Sequence, residues 1–363
     1  MPRNNMPRVR SPRVLAVLCC PLAAAALALS GCGDSGSSAD SSSAVAESMP
    51  APPKSSFPNA EGKTLEEVLE AAKPSTLVVS PAAEVFDAGL NRYPFGVFER
   101  DGTQVPDAEV ALYFAKVPLG AKSGELSPAG KANTEAEKRA LDEPAVGPFP
   151  AAVESLQTKP AFRAQTTAAD PDAASVVYAT RVDFPRDGEW RIAALIRQDG
   201  ELTASLLPSA VVGMFKRVPN VGEKAPLIHT PTAADAGGDT SKVTTRIPPD
   251  TQNEVDYADV LGKEPIVLLF ATPQFCQSRV CGPVVDVAEQ VKEAYGDRAA
   301  FIHMEIYKDN DPNKGVRPQV RAFHLPSEPW LFAIGANGRI AAEVEGAFGV
   351  QELTRVVRKL VGE

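Results

Sequence analysis

Hydrophobic patterning is clearest towards the C-terminal end of the chain. Residues 265–270 form an unbroken apolar run, the pattern of a strand buried on both faces. Val284, Val287, Ala288, Val291 and Tyr295 then recur at helical spacing, with Pro283 where a first-turn proline is tolerated. Residues 300–306 read as a second strand and 316–323 as a short helix. Residues 330–334 and 339–344 read as a hairpin around Asn337-Gly338, a strong turn signal. Leu353, Val356, Val357, Leu360 and Val361 predict a closing amphipathic helix. The expected order is β-α-β, α, β-β-α.

Residues 75–218 carry a different period. Val110, Leu112 and Phe114 alternate with small or polar neighbours, as do Trp190, Ile192, Ala194 and Ile196. Further β-rich runs cover 93–99, 176–184, 202–207 and 211–218. Asp101-Gly102, Asp187-Gly188 and Asp199-Gly200 supply turns between them. Short strands separated by turn signals predict an antiparallel sandwich. Trp190, on an alternating strand, is read as core rather than as a ligand platform. Residues 121–150 interrupt the pattern with Ala, Pro, Glu and Lys and read as a surface insertion.

Two polar stretches divide the chain. Residues 33–58 are Ser, Ala, Gly, Asp and Pro with almost no large apolar side chain, a composition that cannot offset its own ordering entropy. Thr64-Leu65-Glu66-Glu67 fits a capping box, so structure is expected from residue 64. Residues 221–256 turn polar and proline-rich again, as a linker or as an extension lying on the next domain. The expected organisation is a flexible tether (32–63), a β-sandwich (64–220), a linker or extension (221–256) and an α/β domain (257–363).

The N-terminus bears on the compartment. Arg3, Arg8, Arg10 and Arg13 precede an apolar stretch at residues 14–29, the layout of a signal peptide at 1–31 and too short for a convincing membrane span. Leu29-Ser30-Gly31-Cys32 resembles the lipobox of bacterial lipoproteins. That resemblance implies cleavage before Cys32, lipidation of its thiol and anchoring to the extracytoplasmic face of a cell membrane. Cleavage removes four arginines and no acid, moving the net charge from −9 to −13. An acidic chain without a basic cluster argues against nucleic acid and against electrostatic docking on anionic lipid.

Cysteine usage then narrows the chemistry. Cys19 and Cys20 leave with the signal peptide and Cys32 is taken by lipid, so Cys276 and Cys281 remain as a pair. They lie between the apolar run at 265–270 and the helical pattern after Pro283. There, backbone N–H groups and the helix dipole favour a thiolate.

The order of elements in residues 257–363 resembles the thioredoxin fold, and two local features carry the resemblance further. Cys281-Gly282-Pro283 matches the first three residues of that family's Cys-Gly-Pro-Cys, and Pro329 before Trp330 stands where the family has a cis-proline facing the reactive thiol. The resemblance implies thiol–disulfide exchange with protein thiols or disulfides of the envelope, with Cys276, Cys281 and Pro329 at the site. Val284 stands where the second family cysteine would be, so Cys276 supplies the second thiol from upstream. Val221-Gly222-Glu223-Lys224-Ala225-Pro226 resembles the entry segment of redoxins. Residues 177–190 resemble paired strands of immunoglobulin-like envelope domains, so the expected class is a multidomain chain, an immunoglobulin-like β-sandwich followed by a thioredoxin-like domain.

Spacing limits how the thiols combine. Residues five apart in a regular helix have Cα atoms about 8.6 Å apart, beyond the roughly 7 Å limit for a disulfide. A Cys276–Cys281 disulfide therefore needs Cys276 outside the helix, with Cys281 at its start. Cys281 is then the candidate attacking thiol and Cys276 its partner. Facing the thiols, Glu328 would oppose a thiolate and Arg279 favour it, whereas as a surface pair the two would mean little. Two alternatives stand beside exchange: a non-catalytic interaction module braced by a structural disulfide, and a copper-binding chaperone using the thiols with His303 or His324. Neither histidine has a ligand-like spacing, and no cofactor is implied.

Overall fold

In a computed structural model, which describes residues 47–118, 135–276 and 278–363, the alternating runs resolve into three sheets. The expected signal peptide, Cys32, the first part of the expected tether and residues 121–134 of the expected insertion lie outside the described residues. The sandwich strands are β1 (Lys73–Pro74), β2 (Val78–Pro81), β3 (Gly89–Phe98), β4 (Glu109–Lys116), β5 (Val146–Pro150), β6 (Ala152–Ser155), β7 (Val176–Phe184), β8 (Gly188–Gln198) and β9 (Glu201–Val212). They form a five-stranded sheet, β1-β9-β8-β4-β5, and a four-stranded sheet, β2-β3-β7-β6. One core joins the two, with Tyr93, Phe95 and Tyr178 from the smaller sheet against Phe114, Trp190 and Ile192 from the larger. Trp190 is core, as expected, and its Nε1 donates to Arg186 O at 3.2 Å.

Three features depart from the sequence reading. Residues 211–218 are not a separate strand: β9 runs unbroken to Val212, and a glycine turn follows. The expected insertion ends in β5, an edge strand paired with β4. The stretch before residue 64 is not all tether. Met49 pairs with Val153, and Phe57 and Ala60 pack beside Leu65 and Val68 of α1 (Leu65–Leu69) on Ala193 and Leu195 of β8. Burying a side chain of the size of Phe57 contributes about 1.5–3 kcal/mol. The capping box forms as read: Thr64 Oγ1 accepts from Glu67 N at 3.2 Å, and Glu67 Oε2 accepts from Thr64 N at 2.8 Å.

After α2 (Glu135–Arg139) and α3 (Gln165–Ala168), which belong to the sandwich, come α4 (Tyr257–Val260), β10 (Ile266–Phe270), α5 (Cys281–Tyr295), β11 (Ala300–Met304), α6 (Pro318–Ala322), β12 (Trp330–Ile334), β13 (Ile340–Glu345) and α7 (Val350–Leu360). The sheet order is β11-β10-β12-β13, with β10 parallel to β11 and antiparallel to β12. That is a thioredoxin-like topology. Every residue of β10 is buried because the two sides of the strand feed two cores. Val267 and Leu269 meet α5 and α7, while Ile266, Leu268 and Phe270 meet Tyr257, Phe323 and the segment before α4.

That segment, residues 221–256, is an extension rather than a spacer. Ala225, Ile228 and Val243 are buried, and Gly222 N and Ala225 N donate to Ile340 O and Gly338 O. The sandwich also shares a core with the second region, since Leu156 and Val177 pack with Val284, Val285 and Leu353. The described residues accordingly form one compact unit. Among the described residues no helix is long and apolar enough to cross a membrane.

Candidate functional site

β10 delivers the chain to residue 270, and the eleven residues that follow, through Cys281, carry the chemistry. Gln274 N donates to Thr245 Oγ1 at 3.2 Å, pinning the loop to the extension, and the Phe275 ring meets the edge of Tyr307 at 6.2 Å. Arg279 adopts φ +59°, a left-handed conformation that reverses the chain just before α5. Cys281 is the first helical residue, and Pro283 sits two positions on, where its missing N–H would have had no intrahelical partner.

Cys276 and Cys281 are joined as a disulfide with Cα atoms 5.8 Å apart, within the range a regular helix denies them. Cys276 lies outside the helix, as the spacing required. The two sulfurs are not equivalent. Cys281 has no exposed surface, whereas Cys276 is 9% exposed. The backbone N–H of Cys281 donates to Cys276 Sγ at 3.3 Å, and Ser278 Oγ lies 3.2 Å from the same sulfur. Both accessibility and the helix N-terminal N–H therefore favour Cys276, against the expectation that Cys281 attacks.

Sandwich residues cover part of this loop. A Cβ on Gly282 would lie 2.9 Å from Thr167 Oγ1, so the glycine lets the start of α5 approach the α3 segment. Ala174 N donates to Arg279 O at 3.2 Å. The Arg279 guanidinium, assigned above to support a thiolate, instead bonds Asp170 Oδ1 at 2.8 Å, with Asp172 at 3.9 Å. A cleft of about 420 Å³ remains beside Cys276, with Thr166, Asp170 and Phe275 among its walls.

Pro329 follows a cis peptide bond and is buried at the start of β12, in the position the resemblance implied. A groove of about 590 Å³ has Pro329, Ser278 and Val280 on one side and Phe86, Phe98 and Met214 of the sandwich region on the other. Glu328 lines it too, its carboxyl pushed up by burial, which weakens its opposition to a thiolate. Glu345, at the end of β13, is likewise pushed up, to about 7, by burial.

The histidines do other work. His303 on β11 is fully buried, with Nδ1 2.9 Å from Asp250 Oδ2 and Nε2 3.1 Å from Ala271 O. Burial disfavours its charge, but Asp250 outweighs burial and holds His303 up at about 9. Burial likewise opposes the Asp250 charge, yet His303 draws that carboxyl down to about 2. The two form an ion pair, and both ring nitrogens donate. His324 is exposed, with φ +54°. Among the described residues no group of three or more His, Cys, Asp or Glu is placed to hold a metal ion.

Sequence reasoning did not single out the buried and half-buried charges that join the two regions. Arg246 of the extension bonds Asp286 of α5 at 2.8 Å and Phe162 O at 2.6 Å. Arg92 of β3 holds both carboxylate oxygens of Glu352 on α7, at 2.7 and 2.8 Å. The signal at Asp286 was available: an acid between Val285 and Val287 in an apolar helical stripe needs a buried partner.

No protein-family model matches the chain, and no curated protein matches it. Among solved structures it is similar to a candidate thiol:disulfide interchange protein DsbE from Chlorobium tepidum, at 17% identity and a TM-score of 0.29, over 40% of this chain and 99% of that one. It is also similar to a thiol:disulfide interchange protein of the thioredoxin family from Chlorobium tepidum TLS, at 17% identity and a TM-score of 0.27, over 38% of this chain and 96% of that one. A DUF4784 family protein from Bacteroides caccae overlaps at 13% identity and a TM-score of 0.18, over 38% of this chain and 24% of that one. Likenesses at these scores leave the fold to rest on strand order and the site on its geometry.

Proposed function

We propose that the chain is a lipid-anchored envelope protein whose thioredoxin-like region exchanges disulfides with other extracytoplasmic proteins. The observation that carries this reading is the disulfide at the β10–α5 junction, with the Cys281 N–H on Cys276 Sγ. A client thiolate attacks Cys276 Sγ, forming a mixed disulfide and expelling Cys281 as a thiolate that takes up a proton. The client's second thiol, deprotonated, then attacks the client sulfur of the mixed disulfide and releases Cys276. Run backwards, the reduced pair opens a client disulfide. The lipobox sequence around Cys32 supports the anchor. The order β2-β3-β7-β6 facing β9-β8-β4-β5 supports an immunoglobulin-like reading of the sandwich, with β5 as an added edge strand.

The burial of Cys281 favours a second reading, a brace in a non-catalytic module. The reduction potential of the full chain separates the two: structural disulfides typically lie below about −300 mV and exchange-active ones above. For the anchor, Cys32→Ala should move the protein from the detergent phase to the aqueous phase; unchanged partitioning would refute it.

A further inference from the structure

Glu345 occupies an unusual position for an acid. Its carboxylate sits where the β2–β3 connection of the sandwich meets the loop that carries Pro329. Oε1 accepts from Glu84 N at 3.1 Å and from Ser327 Oγ at 2.6 Å, and Oε2 accepts from Val85 N at 3.0 Å. Ser327 Oγ in turn accepts from Trp330 Nε1 at 3.0 Å, so the serine links the carboxylate to the first residue of β12. On the backbone, Gly346 N donates to Pro329 O at 2.8 Å, and Arg92 Nη1 donates to Glu345 O at 3.1 Å. One side chain thus ties two backbone amides of the sandwich to both sides of the cis-proline, and Pro329 shares its groove with Ser278 and Val280 of the disulfide loop.

We propose that Glu345 is a positioning residue through which the β-sandwich sets the proline loop beside the disulfide, and that its protonation loosens that hold. The exchange part of this inference rests on the function proposed above.

The charge inventory supports a change near neutrality. Glu84 faces Glu345 from the β2–β3 connection, Glu328 from the proline loop and Glu343 from its own strand, with Asp87 and Glu223 acting on Glu343. The cation at hand, Arg92, spends its guanidinium on the Glu345 and Ala347 carbonyls and on Glu352, not on the Glu345 carboxylate. Burial pushes Glu345 and Glu343 up to about 7 and raises Glu84 and Glu328. An ionised carboxylate only accepts, which suits the three donors around Glu345. Once protonated it must also donate, so one of those donors loses its acceptor or the Ser327 bond reverses.

The test uses the full chain with fluorinated tryptophan, because Trp190 and Trp330 then give separate ¹⁹F resonances. The Trp330 resonance should titrate with a midpoint near pH 7, whatever the redox state, and the titration should vanish in Glu345→Gln. Disulfide exchange with insulin should show the same inflection in the wild type. It should be lost in Glu345→Gln, with the rate lowered roughly tenfold by misplacement of the loop. Ser327→Ala keeps the acid but cuts its link to Trp330, so it should also lower the rate and remove the Trp330 titration; it serves if Glu345→Gln does not fold. A Trp330 resonance that titrates equally in all three proteins, or in none, overturns the proposal, as does an unchanged pH profile of exchange in both variants. Absence of insulin exchange in every protein, with the Trp330 titration intact and dependent on Glu345, removes the exchange reading and supports the coupling.

Discussion

The backbone N–H of Cys281 points at Cys276 Sγ, 3.3 Å away. The first free N–H of α5 therefore serves the sulfur outside the helix, and the sulfur inside it has no exposed surface. In the attacking role Cys276 gains both from the helix field and from access. A Cys281→Ser variant should accumulate mixed disulfides with clients through Cys276, while Cys276→Ser should trap few. The readout is trapping in cells, resolved on non-reducing gels. More trapping by Cys276→Ser would return the attack to Cys281. Each variant should stay folded, since opening so short a loop costs about 2 kcal/mol.

Arg246→Met should be far more damaging than a surface change, because it leaves Asp286 buried without its cation. The expected loss is about 3–5 kcal/mol, and pairing it with Asp286→Asn should recover much of that. Trp190 reports the sandwich and Trp330 the C-terminal sheet. In the wild type their urea transitions should coincide; in Arg246→Met they should separate, as the tie from Phe162 to α5 is lost.

The pair His303–Asp250 sets a pH dependence with a definite sign. The histidine is raised from its ordinary value of 6.5 to about 9 in the folded chain. Its contribution is therefore complete below 6.5 and is lost as pH rises through 9. Glu343 and Glu345, raised from 4.5 to about 7, add a decline between those values, since their charged forms are disfavoured by folding. Urea midpoints should fall steadily from pH 5 to pH 9.5. The double variant His303→Gln with Asp250→Asn should flatten the upper part of that slope and leave the lower part in place.

Two glycines separate strain from contact. Gly222 has φ +92° with open space around it, and Gly346 has φ +78° with Ala82 O 2.4 Å from where a Cβ would stand. Gly222→Ala should cost about 1–2 kcal/mol from backbone strain. Gly346→Ala should cost more, because the added methyl also pushes β13 away from the sandwich. Equal melting temperatures for the two variants would mean that the approach at Ala82 is not tight in solution.

The elements that the sequence predicted well are those whose periodicity has one cause. β10 reads as an unbroken apolar run because it feeds two cores, and α5 shows a helical stripe because it covers one face of a sheet. The geometry of the Cys276–Cys281 disulfide was legible because spacing along the chain restricts it, whereas Pro329 was placed by the family resemblance and not by any pattern in its own neighbourhood. The extension was ambiguous because its anchoring is polar and non-local: Thr230 N donates to Asp256 Oδ1 and Thr245 N to Glu305 Oε1, bonds without any period. Phe57 was lost inside a low-complexity stretch, although the second apolar face of β8, Ala193 and Leu195, implied that something must cover it. The unequal exposure of the two sulfurs was not legible, because spacing along the chain does not report what packs around Cys281, nor that the start of α5 lies against Thr167 of α3, more than a hundred residues earlier.

Leu156 and Val177, on the sandwich, belong to a core whose other members are encoded almost at the end of the chain. A chain delivered N-terminus first exposes these two side chains, and the unpaired Arg92, until residues 281–360 arrive. The order of synthesis therefore leaves the first region with a sticky, charged seam for the interval in which the second is still being made. Truncation before α7 would freeze that interval and yield an aggregation-prone product rather than a free-standing sandwich.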